Sequence, residues 1–199
     1  MEDDLMEELS FGNNSNGSVK TFSSNVYTWY IDEVITTPVK YRDLISTLDF
    51  AGDNDIVRIH LNTPGGCLAT TAAIVRAITQ SRAKVVGIVD GQIASAGTIL
   101  ALSCDIVYFG DMCYAMFHTA SYGTWGDTNK LSSHVDFSQD YIYSSLYYHY
   151  TGFLTEEEIE DMFHNSREIW MGAEELRSRW EAYVEYRNNL IVDTEDEEE

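Results

Sequence analysis

Gly91-Gln92-Ile93-Ala94-Ser95-Ala96-Gly97 follows the run Val85-Val86-Gly87-Ile88-Val89 and leads into the small and apolar residues Ala96 to Leu102. The β-branched run reads as a strand that ends at Asp90-Gly91, and Ala96 to Leu102 reads as a buried helix. Ser95 stands where one hands over to the other. A serine at such a junction presents its hydroxyl beside the unpaired N–H groups and positive dipole end of a helix, which favour a developing oxyanion. Small residues in a strand, turn and helix also serve plain packing, so this segment alone leaves both readings open.

The same alternation continues on both sides. Upstream, Ile56-Val57-Arg58-Ile59-His60-Leu61 reads as a strand, Thr63-Pro64-Gly65-Gly66 as a sharp turn, and Ala72, Ala73, Ile74, Ala77 and Ile78 as the apolar positions of a helix. Before them come a strand at Val26 to Ile31 and a helix over Val39 to Leu48. Downstream, Ile106 to Phe109 and Tyr114 to His118 read as short strands. Strands alternating with helices predict an α/β fold with a mainly parallel sheet. The later chain reads as helical: about Lys130 to Tyr150, then Thr155 to about His164 behind a Thr155/Glu158 capping box, then Ala173 onward. No repeat of 20 to 50 residues is visible.

The 199 residues amount to one domain with extensions. Residues 1–25, acidic and then rich in Asn, Ser and Gly, read as a mobile arm; 26–189 as the folded domain; 190–199 as an acidic tail. Acidic residues number 33 against 12 basic ones, a net charge of −21 that repels phosphate backbones and anionic lipids. Nucleic acid is therefore not expected as a partner. Asp90, Gln92 and Ser95 interrupt the best candidate for a membrane span, and Met1-Glu2-Asp3-Asp4 lacks the basic leader of a signal peptide, so a cytoplasmic protein is expected. Cys67, Cys104 and Cys113 form no CxxC pair, and His60, His134, His149 and His164 have no metal-ligand spacing, so neither a metal nor a cofactor is expected.

Two further features bear on Ser95. The paired glycines of Asn62-Thr63-Pro64-Gly65-Gly66 let the backbone turn tightly and approach a neighbour, so the Gly66 N–H is a candidate second oxyanion donor, beside the plainer reading of a turn into a helix. His118, at the end of Tyr114-Ala115-Met116-Phe117, is a candidate base for the serine, beside the plainer reading of a structural histidine.

In order and spacing, Asn62 to Gly66, Gly91 to Gly97 and Met116-Phe117-His118 resemble the proteolytic subunit of the Clp protease. Arg167-Glu168-Ile169-Trp170-Met171-Gly172-Ala173-Glu174-Glu175 is similar to that family's segment after its long helix, so the likeness runs from about Val26 to Leu176. It implies a ClpP/crotonase-like fold with a handle helix, here with a helical C-terminal extension. It implies a serine endopeptidase with Ser95 as nucleophile, His118 as general base and acid, Glu168 as the triad acid, and the Gly66 and Ala96 N–H groups as the oxyanion hole. Tyr122-Gly123-Thr124-Trp125-Gly126 looks like the strand at the root of the handle. An unfolded polypeptide substrate would lie extended between Tyr122-Gly123 and the backbone of Gly66-Cys67-Leu68. The resemblance further implies a homo-oligomer of heptameric rings, usually two stacked, fed by an AAA+ unfoldase; the chain itself lacks GxxxxGK[ST].

The departures from the family pattern define the alternatives. Glu168 stands where aspartate is usual, with Asp136, Asp140 and Asp161 as competing acids, and Ala96 replaces methionine without touching a backbone donor. Beyond Leu176 a short Gly-containing strand is not recognisable, and Arg177 to Asn189 reads as continued helix. A catalytically silent structural or regulatory subunit, or an acyl-CoA enzyme of the crotonase-like superfamily, are the other functions weighed. The tyrosines at 141, 143, 147, 148 and 150 read as core or subunit interface, with interface expected.

Overall fold

A computed structural model of the chain describes residues 24–121 and 127–196. Residues 1–23 of the N-terminal arm, residues 122–126, which include Tyr122 and Gly123, and the last three residues lie outside the described residues.

Six strands and six helices follow the alternation expected from the sequence: β1 (Val26–Ile31), α1 (Arg42–Phe50), β2 (Ile56–Thr63), α2 (Leu68–Gln80), β3 (Lys84–Ala94), α3 (Ala96–Ser103), β4 (Ile106–Phe109), β5 (Tyr114–Phe117), α4 (Thr128–Tyr150), α5 (Glu156–His164), β6 (Ile169–Gly172) and α6 (Ala173–Asp196). They build one sheet in the order β1-β2-β3-β5-β6, with β4 also paired to β3. Every pairing is parallel except β5 with β6.

The first three crossovers each add a strand on the same side of the last. Since such crossovers are right-handed, α1, α2 and α3 stack on one face of the sheet. The strands obey that arrangement residue by residue: on β2, Val57, Ile59, Leu61 and Thr63 are buried while Arg58 and Asn62 are exposed and His60 is half-buried. Leu44, Leu48, Ile74 and Ile78 meet them from the helices, each no more than 5% exposed. α6 closes the far end against β4, β5 and β6, and its Trp180 and Tyr183 join the core.

Two features differ from the sequence reading. β3 runs on past Asp90-Gly91 to Ala94 because it has two successive neighbours: Val86 to Val89 pair with β4, then Gln92 to Ala94 pair with β5. β6, at Ile169–Gly172, is a strand that the sequence pattern does not announce. The helical extension is present, and α6 continues through to Asp196, into the segment read as a tail. No helix among the described residues is long and apolar enough to cross a membrane.

Asp55 clamps the start of the sheet. Its carboxylate accepts from the Gly52 N–H at 2.9 Å, the Asn25 N–H at 2.7 Å and the Asn25 side-chain amide at 3.0 Å. These donors, the Gly52 amide first, hold its pKa below the ordinary carboxylate value. A carboxylate depressed on folding stabilises the fold above its unfolded pKa of about 3.9, and that stabilisation vanishes as the pH falls through the lower folded value. Denaturant titrations should therefore show Asp55→Ala less stable than the parent at neutral pH, with the gap closing as the pH is lowered below about 4; a gap that stays constant down to pH 2 contradicts the clamp.

Candidate active site

The parallel strands β2, β3 and β5 all end at one edge of the sheet, the edge where open α/β sheets bind their ligands. Gly65-Gly66 follows β2, Ser95 follows β3 and His118 follows β5. Because β6 runs antiparallel to β5, it starts at that same edge, and the residue immediately before it is Glu168. The topology alone thus gathers all four sequence positions.

Ser95 sits in a tight corner between β3 and α3 with φ 55° and ψ −126°, one of two non-glycine residues with positive φ among those described. Such a conformation costs about 1–3 kcal/mol and persists only where neighbours enforce it. Here the Ser95 N–H donates to the Met116 carbonyl at 2.8 Å, and the Ser95 carbonyl accepts from the Thr98 N–H at 3.0 Å and the Thr98 hydroxyl at 2.6 Å. The side chain is left half-buried at the first turn of α3, whose opening residue is Ala96.

Gly65 fits against this corner, and Gly66 against the backbone of Ile35, because neither carries a side chain. A Cβ on Gly65, whose φ is +90°, would lie 2.8 Å from the Ser95 Cβ and 2.9 Å from the Ala96 nitrogen. Gly66 pairs with Ile35 through Ile35 N–H to Gly65 O and Cys67 N–H to Ile35 O, both 2.8 Å. In a parallel bridge of this kind the central residue turns its own N–H away from its partner. The Gly66 N–H therefore points away from Ile35 and donates to no backbone partner among the described residues. Adding bond lengths to the Gly65 spacing puts the Gly66 and Ala96 nitrogens no more than about 7 Å apart.

His118 is half-buried, two residues beyond the Met116 that receives the Ser95 amide. That is about 7 Å along the strand from Met116. Glu168 is the position opposite His118 if the register Met116↔Trp170, Phe117↔Ile169 runs one residue further, so the two share a face of the sheet. No hydrogen bond joins Ser95 to His118, or His118 to Glu168, among the described residues. The exposed Glu168 carboxylate instead accepts from the Trp170 indole N–H at 3.1 Å, and that ring stacks on Tyr114.

Of the competing acids, Asp136 and Asp140 are exposed on α4. Asp161 is committed to the turn that leads to Glu168. Its carboxylate accepts from Asn165 at 2.6 Å and Arg167 at 2.9 Å, which lower its pKa, and its carbonyl accepts the Asn165 and Arg167 amides. Cys67 caps the start of α2 with an exposed thiol, its pKa lowered by hydrogen bonding to Thr70, and Leu68 opens that helix. Sequence reasoning missed a cavity of about 150 Å³ lined by Leu68, Val75, Ile99, Tyr141, Leu146 and His149. Its signal was the apolar spacing of α2 and α4 beyond Leu68. Burial lowers the His149 pKa and favours the uncharged ring there. No group of three or more His, Cys, Asp or Glu able to hold a metal exists among the described residues.

Gly65→Ala should lower the thermal midpoint by several degrees, because both the positive φ and the collision with Ser95 oppose a methyl group. Gly172→Ala is the control: a Cβ there meets nothing within 4 Å, and its midpoint should stay within about a degree. Equal midpoints for the two variants would mean that the Gly65 contact imposes no constraint.

The Clp protease family model matches residues 31–178, from the end of β1 into α6 and across every position just described. No curated protein matches the chain.

Proposed function

The chain belongs to the Clp protease family, and we propose that it is a serine endopeptidase acting through an acyl-enzyme. The observation that carries this reading is Ser95 in its enforced positive-φ corner at the N-terminus of α3, with His118 and Glu168 at the same sheet edge. A serine used only for packing gains nothing from that strained geometry.

Ser95 Oγ attacks the scissile carbonyl while His118 takes its proton. The oxyanion forms between the Gly66 and Ala96 N–H groups, donors fixed in the backbone before the substrate arrives. His118 then protonates the leaving amine, and a water activated by His118 releases the acyl group from Ser95. Glu168 exchanges the Trp170 indole for the imidazole and holds it in the tautomer the transfer needs; its extra methylene supplies the reach across the face that the two residues share.

The substrate is an unfolded polypeptide laid extended against Gly66-Cys67-Leu68 and the Tyr122-Gly123 segment, held by main-chain bonds that read little sequence. The cavity behind Leu68 starts one helical turn from Ser95 and has largely apolar walls, so it takes an apolar side chain next to the cleaved bond. The working form is a homo-oligomeric ring of seven subunits, usually two rings stacked, supplied by an AAA+ unfoldase in the cytoplasm. The Trp170 bond to Glu168 favours a second reading, a subunit that assembles but does not turn over substrate.

A fluorophosphonate probe separates the two. It should label the parent and not Ser95→Ala, and Ser95→Ala should cleave no peptide; folded parent protein that takes no label fits only the silent subunit. Glu168→Gln should lower kcat between about 10²- and 10⁴-fold, and unchanged kcat would remove Glu168 from the triad. Among fluorogenic peptides, those with Leu or Met before the scissile bond should be cleaved faster than those with Asp or Lys, and the reverse order would detach the cavity from the reaction.

A further inference from the structure

Tyr150 is the last residue of α4 and is completely buried, as is Thr98 in the first turn of α3. Their hydroxyl oxygens are 2.8 Å apart, and the Thr98 hydroxyl also lies 2.6 Å from the Ser95 carbonyl. A carbonyl only accepts, so the single Thr98 proton is spent on Ser95. Tyr150 must then be the donor of the remaining bond, and the chain of protons runs Tyr150 to Thr98 to Ser95 in one direction only. Burial pushes the Tyr150 pKa up to about 12, so the phenol keeps its proton wherever the protein is folded.

The ring of Tyr150 has a second contact. It meets Phe117 edge to face, with centroids 5.3 Å apart, and Phe117 is the residue before His118. Phenylalanine would fill the core at this place equally well and leave no polar atom to satisfy in a dry interior. The hydroxyl is explained by what it reaches, the Thr98 hydroxyl that in turn holds the carbonyl of Ser95, the residue in the corner whose backbone must be forced.

We infer that Tyr150 is a positioning residue for the nucleophile and its base, fixing the Ser95 main chain through Thr98 and bracing the His118 strand through Phe117. The inference rests on the peptidase reading for its effect on rate, and on geometry alone for its effect on the Ser95 corner. It acts on orientation and leaves the substrate groove untouched, so it bears on kcat and not on KM.

The test compares the full-length parent with Tyr150→Phe, Thr98→Val, Thr98→Ser and the Tyr150→Phe/Thr98→Val double variant. Tyr150→Phe retains the ring and removes the proton. Its kcat and its rate of fluorophosphonate labelling should fall together by about 10-fold, inside the 10²-fold that a misplacement of about 1 Å costs, with KM within twofold. Thr98→Val should fall as far and Thr98→Ser should recover most of the loss. The double variant should be no slower than Thr98→Val, since both act along one chain of bonds. Hydrogen exchange supplies the readout that needs no activity: the amides of residues 95–98 should exchange several-fold faster in Tyr150→Phe. Kcat and labelling within twofold of the parent, or unchanged exchange at 95–98, overturn the inference. A parent that takes no label defeats the peptidase reading instead, and exchange at 95–98 then decides the positioning role by itself.

Discussion

Ser95 at φ 55° is held by hydrogen bonds on both sides of its peptide plane, its amide tied to β5 and its carbonyl tied to α3. A backbone in that region relaxes unless its surroundings over-determine it, so the geometry of the site is a property of the elements that converge there. β3 has to continue to Ala94 before the corner, β5 has to lie alongside with Met116 at the right register, and α3 has to begin at Ala96. Gly65 then has to come close enough that no side chain fits. Each condition is met by a different segment, and each fails separately.

The sheet also sets which residues share the edge that holds His118. A sheet wholly parallel would start every strand at the edge away from the site. Reversing the last strand puts the start of β6 beside the end of β5, so Glu168, just before β6, and His118, just after β5, flank the Phe117↔Ile169 pair without a long connection. The turn before it is costly in its own way: Ser166 also has positive φ, at 53°, and Asp161 gathers Asn165 and Arg167 to hold it. Asp161 bears on Glu168 indirectly, by fixing the turn of chain that leads to it.

What the sequence made legible follows from where local chemistry coincides with tertiary need. β2 and α2 carry clear periodicity because each buries one face, the first part of β3 and α3 read as apolar runs because they are mostly buried, and the Thr155/Glu158 capping box is complete in the structure. The Ser95 corner and the Gly65-Gly66 turn were visible as small residues after a strand. β6 was not, because Ile169-Trp170-Met171-Gly172 shows no apolar–polar alternation over four residues, although its burial alternates, and its strand geometry comes from pairing with β5. The end of β3 was placed too early for a related reason: Asp90 and Gly91 look like a stop, and only a second partner strand carries the chain past them. Helical spacing leaves Tyr150 as core or interface and the family resemblance points to interface, yet it is core, while Tyr141 and Tyr148 of the same helix are more than half exposed. Periodicity ranks faces of a helix but cannot tell which end of that helix is capped by the rest of the molecule.

α4 exposes Phe137, Tyr141 and Tyr148 along much of its length, and its final residue is locked into the centre of the domain. The helix is therefore fixed at the end nearest Ser95, where Tyr150 touches both the Thr98 hydroxyl and the ring beside His118. An element that is mostly surface can move or meet another subunit along its exposed part without strain reaching the core, so long as the terminal contact holds. A displacement that does reach Tyr150 must disturb the serine and the histidine together, because one side chain supports both. Coupling by shared support needs no chain of intermediates across the protein, only a single buried residue with a polar end turned to one catalytic element and an apolar face turned to the other.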